Sequence, residues 1–463
     1  MNKPAIQGIA EFVCQHPSSQ HPESAYRRAE LAWLDTIGCM LLGANSKVAS
    51  VAYQAALGWG DGNAPVVGTG HKLPAPWAAV VNGAGAHSLD LDDFTFIAND
   101  HPSAVLVPAL LSATNGHESE ISGKALLDAY LIGMEIIFCM GEAVNMPHYN
   151  LGWHTTSTLD SLGATAAVCR LWQLGGGQTA AAISLTTSMG SGYVSQFGTS
   201  GKPLHAGFSA KSALVAASLA KSGATAQIRA LDGPVSFASL LVPAGEASFD
   251  DAITRLGNPW GIEQHGLGAK VYPSCGYVHR AVDAAILARR ELGLQDISQV
   301  ESVTASIPDF HLAVLPYGIP NDRTEALFSA SYCVTTALAT GDNAIDDFSH
   351  EAVQRADILE LAGKVSVESR RTRRPELNFD EDDPDFVMVQ LNDGRSVRCE
   401  VPIFTGGPGN DLSEDQFVAK FRQCFDHYRG SGGSTAIHSE KIVDVVSRLK
   451  DLEEISVLLA SIN

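Results

Sequence analysis

Charge is scarce in this chain of 463 residues: Asp, Glu, Lys and Arg make up 18% of it, and bases are the smaller share, 31 against 51 acids, for a formal net charge of −20. A surface of that sign repels nucleic-acid phosphates and anionic lipid, so neither is expected as a general partner, and an anionic ligand must enter a locally basic pocket. Aromatic residues reach only 7%. The cysteines, at 14, 39, 139, 169, 275, 333, 399 and 424, form no Cys-x-x-Cys pair and no zinc-ligand spacing. They read as mostly buried, reduced thiols of a cytoplasmic protein. The start, Met1-Asn-Lys-Pro-Ala-Ile6, lacks the apolar core of a signal peptide. The one long uncharged run, Trp172 to Gly201, is filled with Gly, Ser, Thr and Gln, too polar for a lipid-facing span.

What is present is 45% hydrophobic residues, enough for globular cores in about two or three domains. Leu31, Leu34, Ile37 and Leu41 repeat at helical spacing between Tyr26 and Ala44, and similar faces recur near 104–114, 124–142, 157–173, 178–190 and 207–222. The first half is therefore expected to be mainly helical. After about 270 the texture changes. Val300 to Ile307 alternates β-formers, and Phe386–Leu391, Asn392-Asp-Gly394 and Val397–Val401 spell a hairpin. With helical stretches at 277–292 and 325–340, this predicts an inserted α+β domain over 269–403, between a helical domain over 1–268 and a C-terminal segment, 404–463. Ser413-x-x-Gln416 predicts a capped helix, and 438–461 carries a last helical period through Ile442, Val445, Leu449, Leu452 and Val457. Arg370–Arg374 and Asp380–Asp383 form a block of both charge signs, read as a solvated loop.

Two stretches present a lysine beside backbone-permissive residues: Gly198-Thr-Ser-Gly-Lys-Pro-Leu-His-Ala-Gly207 and Lys270-Val-Tyr-Pro-Ser-Cys-Gly276. Two such lysines can hold a small polyanion. Lys202 stands with His205 near a helix start, and Lys270 is followed by His279 and Arg280, a set that suits carboxylate binding. Asn82 to Asp93 followed by His101-Pro-Ser103 concentrates Asp90, Asp92, Asp93, His87 and His101. Such a stretch can be read as a metal site, but the spacing of hard-metal cages and catalytic zinc sites is missing. Gly83-x-Gly85-x-x-Ser88 lacks the third glycine of a dinucleotide fingerprint, and Gly198-x-x-Gly-Lys202 is too short for a P-loop. In Gly152-Trp-His-Thr-Thr-Ser157, His154 and the free amides of a helix start can face an anion together. Cys275 with His279 is a weak nucleophile-and-base reading, and a buried thiol is the expected role.

Taken in order, Leu34-Asp-Thr-Ile-Gly38, Asn82 to Asp93, His101-Pro-Ser103, Gly152-Trp-His154, Gly198 to Gly207, Lys270 to Cys275 and Phe328-Ser-x-x-Tyr332 resemble the MmgE/PrpD family of 2-methylcitrate dehydratase, cis-aconitate decarboxylase and iminodisuccinate epimerase. The resemblance runs over nearly the whole chain. It implies a large helical domain built from both chain ends, an inserted α+β domain, a homodimer, and an interdomain active site without metal or organic cofactor. By the same resemblance the catalytic positions fall on Asp90, His101, His154, Lys202, Lys270 and Tyr332, with His279 as a neighbour and Asp93 as a second carboxylate. Phe94 departs from the Thr that follows the paired aspartates in decarboxylase-like members, and the Gly-Trp-His-Thr stretch looks nearer the decarboxylase and epimerase branch than the dehydratases. The implied activity is a lyase, dehydratase or decarboxylase, acting on a small di- or tricarboxylate through an enolate-like state. An epimerase that takes and returns a proton is the alternative, and a non-catalytic polycarboxylate binder a further one.

Overall fold

Helices fall where the apolar spacing predicts them. The computed structural model describes residues 3–115, 120–374 and 376–463. Its main helices in the first half are α1 (Glu23–Gly43), α2 (Ala75–Ala86), α3 (Ser103–Ala113), α4 (Gly123–Val144), α5 (Asp160–Leu171), α6 (Gly176–Thr186) and α7 (Gly201–Lys221). Capping fixes some of their starts: the Ser122 hydroxyl accepts from the Ala125 amide at 3.2 Å and opens α4. The helical face expected from 157 is interrupted, because Thr155–Thr158 forms its own turn before α5 begins.

Small residues let these helices pack closely. A methyl group on Gly83 of α2 would lie 2.8 Å from the Gly207 Cα of α7, and one on Gly163 of α5 would lie 2.6 Å from the Gly133 carbonyl oxygen of α4. Gly83→Val is therefore expected to lower the thermal midpoint. Overpacking costs about 1–3 kcal/mol, more than the ~1 kcal/mol a helix gains when glycine is replaced. A melt at or above the wild-type midpoint would contradict the close crossing.

The second core belongs to the α+β part. Here α8 (His279–Leu292) and α9 (Ala330–Thr340) pack on a sheet of β1 (Val300–Pro308), β2 (Val365–Arg370), β3 (Asp385–Leu391) and β4 (Ser396–Val401). The strand order is β2-β1-β3-β4, with β1 and β2 parallel and the other neighbours antiparallel. The predicted hairpin is β3–β4, and Gly394 takes the left-handed φ of 88° that its turn requires. Val387, Val389 and Leu391 face inward while Met388 and Gln390 face out.

From Ser413, whose capping box with Gln416 forms as predicted, α10 (Glu414–Gly430) lies against α1, and Phe421, Phe425 and Tyr428 join the same core as Trp33. Buried Lys420 anchors it, with Nζ 2.6 Å from Asp35 and 2.8 Å from the Leu91 carbonyl oxygen. The final helical period breaks after Ser447. The chain there turns its backbone outward: Leu452 O accepts from Gly123 N and Ile455 N donates to Ile121 O, so these groups cannot close helical hydrogen bonds. The cysteines are free thiols, and all but Cys14 are buried. Among the described residues, no helix is long and apolar enough to cross a membrane.

Candidate active site

The site gathers where the two cores meet, and Met146, Tyr149 and Phe197 from the helical half pack into the α+β core there. The end of α2 delivers His87. The following loop turns sharply at Asp90, whose φ of 54° is left-handed, a conformation Asp tolerates better than most residues. Phe94 pairs with Gly268 through reciprocal backbone hydrogen bonds, 3.0 and 2.9 Å, which brings Lys270 under this loop. The first turn of α7 supplies Lys202 and His205, and the turn before Thr155 supplies His154.

Asp90 is the electrostatic centre. Lys202 Nζ lies 2.7 Å from its Oδ2, Lys270 Nζ holds its Oδ1, and Lys270 also donates to the Asp90 carbonyl oxygen at 2.9 Å. Burial alone would raise the Asp90 carboxyl, but the ammonium groups of Lys202 and Lys270 reverse this and hold it well below the usual range. Burial also makes the Lys202 ammonium more acidic than an ordinary lysine. Its Nζ sits 4.9 Å from the centre of the Phe197 ring and 5.1 Å from that of Phe328, where π-faces offset part of the lost hydration.

Around this ion triad stand four imidazoles. His87 Nδ1 lies 2.8 Å from Asp92 Oδ2, and the Asp92 carboxylate stays ionised because the neighbouring imidazoles outweigh its burial. His101 Nδ1 donates to the Asp93 carbonyl oxygen at 3.0 Å, which leaves Nε2 with its lone pair, 3.5 Å from Asp90 Oδ1. Burial, reinforced by Lys270, pushes His101 down to about 3, so it is neutral at neutral pH. His154 Nδ1 meets His205 Nδ1 at 2.9 Å, and a contact between two ring nitrogens requires one to donate and the other to accept. Burial holds His154 well below its ordinary value and His205 at about 4, so this pair too is uncharged.

Of the residues singled out in the sequence, Asp90, His101, His154, His205, Lys202 and Lys270 thus converge. His279 stands behind Lys270, buried, with Nε2 3.2 Å from the Ser274 carbonyl oxygen. Asp93 turns away: Oδ1 accepts from Ser103 N at 3.1 Å, and the residue borders a separate cavity with Arg27, Arg28 and Asp35. Tyr332 and Arg280 do not reach the site. The Tyr332 hydroxyl donates to the Asp347 carbonyl oxygen, and Arg280 is spent on Asp385 at 2.7 Å and on the carbonyl oxygens of Asp380, Asp383 and Pro402. Its two terminal nitrogens are thus engaged within the α+β part, and only the buried Nε lacks a partner among the described residues. Cys275 does border the cavity, and burial pushes its thiol up, away from a thiolate nucleophile.

The cavity itself is narrow, about 40 Å³. Sequence reasoning missed several of its walls: Asn99, Asp100, Tyr149, Tyr277, Asn378 and Phe379. Asn378 and Phe379 come from the charged block read as a solvated loop. There Arg374 pairs with Asp380 and Asp382, and Arg370 with Asp383 and Asp385, which folds the loop inward. His87 and Asp92 were visible only as members of the dense 82–93 stretch.

Ligand-type atoms of His87, His101 and His154, and of His87, Asp90, Asp92 and His101, come within 4.8 Å of one another. These residues do not suit a divalent cation. Asp90 is already neutralised by two ammonium groups and Asp92 is engaged by His87, so an added ion would face Lys202 and Lys270 at close range.

Comparison with known proteins gives a consistent result over the full length. The sequence profile of the MmgE/PrpD N-terminal domain matches residues 7–250, and that of the MmgE/PrpD C-terminal domain matches residues 272–445. A cis-aconitate decarboxylase from Mus musculus is 28% identical over 474 aligned positions, covering 99% of this chain and 93% of the relative. One from Homo sapiens is 26% identical, covering 93% and 89%, and one from Aspergillus terreus is 24% identical, covering 99% and 96%.

Proposed function

Because the chain belongs to the MmgE/PrpD family, we propose that it is a lyase that removes carbon dioxide from a small tricarboxylate of the cis-aconitate type, using its own side chains. The observation that carries this reading is the meeting of two buried ammonium groups with uncharged imidazoles at one small cavity. Similarity to cis-aconitate decarboxylases supports the choice of substrate class.

The chemistry needs those groups. In cis-aconitate, the carboxylate on the saturated carbon leaves as carbon dioxide and its bonding electrons form a new double bond. The old double bond then shifts its electrons toward the far carbon, which takes a proton. Negative charge grows on the carboxylate attached to that carbon, so fixed cations there stabilise the transition state more than the ground state. Lys202 and Lys270 are placed for this role, sharing with substrate the hydrogen bonds now given to Asp90. His101 and His154 carry the proton once a bound polyanion offsets the burial that keeps them neutral in the free site.

Both histidines are neutral in the free site, whereas the reaction consumes a proton. A polyanion arriving beside them favours their charged forms. Tricarboxylate binding is therefore expected to draw about one proton from solution at neutral pH. Calorimetry in buffers of different ionisation enthalpy measures this directly, and binding without proton uptake would remove the histidines from that role.

Activity itself is tested by proton NMR in heavy water with cis-aconitate, citrate, 2-methylcitrate and iminodisuccinate. The expected result is an unsaturated dicarboxylate from cis-aconitate, deuterated at the newly saturated carbon. Deuterium exchange or inversion without loss of carbon dioxide would point to an epimerase, and no change in any sample would overturn the lyase reading.

A further inference from the structure

Directly before His101 in the chain lies Asp100, and it does not stand alone. The segment 99–101 is docked on the start of the helices that follow His154. Thr155 Oγ1 donates to the Asn99 carbonyl oxygen, and the His101 amide donates to Thr156 Oγ1 at 3.1 Å. Between these tethers the Asp100 side chain meets that of Asp160, the first residue of α5. Asp100 is 1% exposed and Asp160 is fully buried. Asp100 Oδ1 accepts from Thr95 Oγ1 at 2.6 Å, while Oδ2 and both Asp160 oxygens lack a well-formed hydrogen bond from any N–H or O–H donor among the described residues.

Among the described residues, no ion pair reaches them either. Lys202 and Lys270 are held by Asp90, and Lys420 by Asp35. Asp93 and His101 also act on Asp160: Asp93 is a further buried carboxyl that supplies no positive charge, and the His101 amide leans toward Asp160. Two carboxylates in contact in such a place cannot both ionise. A proton held between them turns repulsion into a short charge-assisted hydrogen bond.

We propose that Asp100 and Asp160 form a carboxyl pair that shares a proton and thereby positions His101, by fastening the 99–101 segment to α5. This rests on the reading of His101 as a proton carrier. Neither aspartate is asked to touch substrate, although Asp100 borders the cavity. Burial, followed for Asp160 by the charge of Asp100, raises both carboxyls above their ordinary value, in keeping with a retained proton. When the pair loses that proton the tether opens, and His101 loses its fixed place opposite Asp90.

Asp160→Asn is the decisive variant, because a carboxamide donates to Asp100 without needing a titratable proton. In the wild type the folded pair keeps a proton that unfolded carboxyls release above about pH 4, so stability falls as pH rises from there toward the raised folded value. The thermal midpoint of Asp160→Asn should therefore fall less steeply with pH than that of the wild type, by the equivalent of about one proton. Turnover of cis-aconitate should fall about tenfold per pH unit on the alkaline side in the wild type, and this limb should vanish in Asp160→Asn with kcat near neutrality retained. Asp160→Ala, which offers no donor, should lower kcat with KM little changed.

Equal pH slopes of the midpoint and equal alkaline limbs in wild type and Asp160→Asn would overturn the proposal. The melting experiment needs no substrate. A chain that converts no tricarboxylate but shows the altered slope would disprove the lyase reading and leave the carboxyl pair standing.

Discussion

Asp90→Ala is expected to cost about 3–5 kcal/mol of stability and nearly all turnover, because it removes the counter-ion of two buried ammonium groups at once. Lys202 is 3% exposed and Lys270 1%, so neither can recover its hydration by turning outward. Alanine also fits the left-handed backbone at this position less well than aspartate does. Asp90→Asn separates the two effects, keeping the shape and the local tolerance while losing only the charge. Its deficit should depend on pH with a definite sign. Lys202 is already held below its ordinary value by burial and by Lys270, and loss of Asp90, which pulls the other way, depresses it further. A lysine whose folded value is depressed binds fewer protons folded than unfolded, so stability rises with pH between the two values. The Asp90→Asn deficit should accordingly be largest in acid and shrink toward the alkaline range. Thermal melts across pH check this, and a deficit that grows with pH would mean that the triad is not the source of the loss.

His101→Ala and His154→Ala are expected to leave the chain folded while turnover of cis-aconitate falls by about 10²–10⁴ in at least one of them. The two imidazoles are not equivalent. His101 is tied by Nδ1 to the Asp93 carbonyl oxygen, so its Nε2 alone is free for chemistry, whereas His154 shares one proton with His205. His205→Gln should then disturb the His154 role by changing the donor at that contact, with a smaller loss than His154→Ala. Steady-state kinetics on the purified variants decide between the carriers: a fall in kcat at unchanged KM marks the proton carrier, and a rise in KM alone marks a binding group. Full activity in both alanine variants would exclude imidazole proton transfer here.

The tie between Asp93 and His101 shows why one carboxylate of the 90–93 stretch serves chemistry and another serves structure. Asp90 faces the lysines. Asp93 points the opposite way, caps Ser103, and offers the site only its backbone carbonyl. Burial raises its carboxyl well above the usual range, and the charges of Asp35 and Asp92 add to this.

Much of this was legible in the amino-acid order. Periodic leucines and alanines set the long helices, since a 3.6-residue repeat can bury one face in only one way. Alternation with Asn392-Asp-Gly394 set the β3–β4 hairpin, and the dense 82–103 stretch with Lys202 and Lys270 marked the polyanion site. These are local signals, carried by residue type and spacing. The sequence could not say which face of α8 turns toward the cavity, so Arg280, next to His279, was grouped with the ligands although it staples Asp385 and a loop. It could not say that Tyr332 would bond to Asp347, or that the block at 370–383 would pair its own charges and carry Asn378 and Phe379 inward. Nor could it join Asp100 to Asp160, or break the last helix where Ile455 pairs with Ile121. Each of these depends on contacts between distant segments, whose energies exist only once the chain has folded. Local order chose the elements and the chemical groups; packing between the two cores chose which groups face one another.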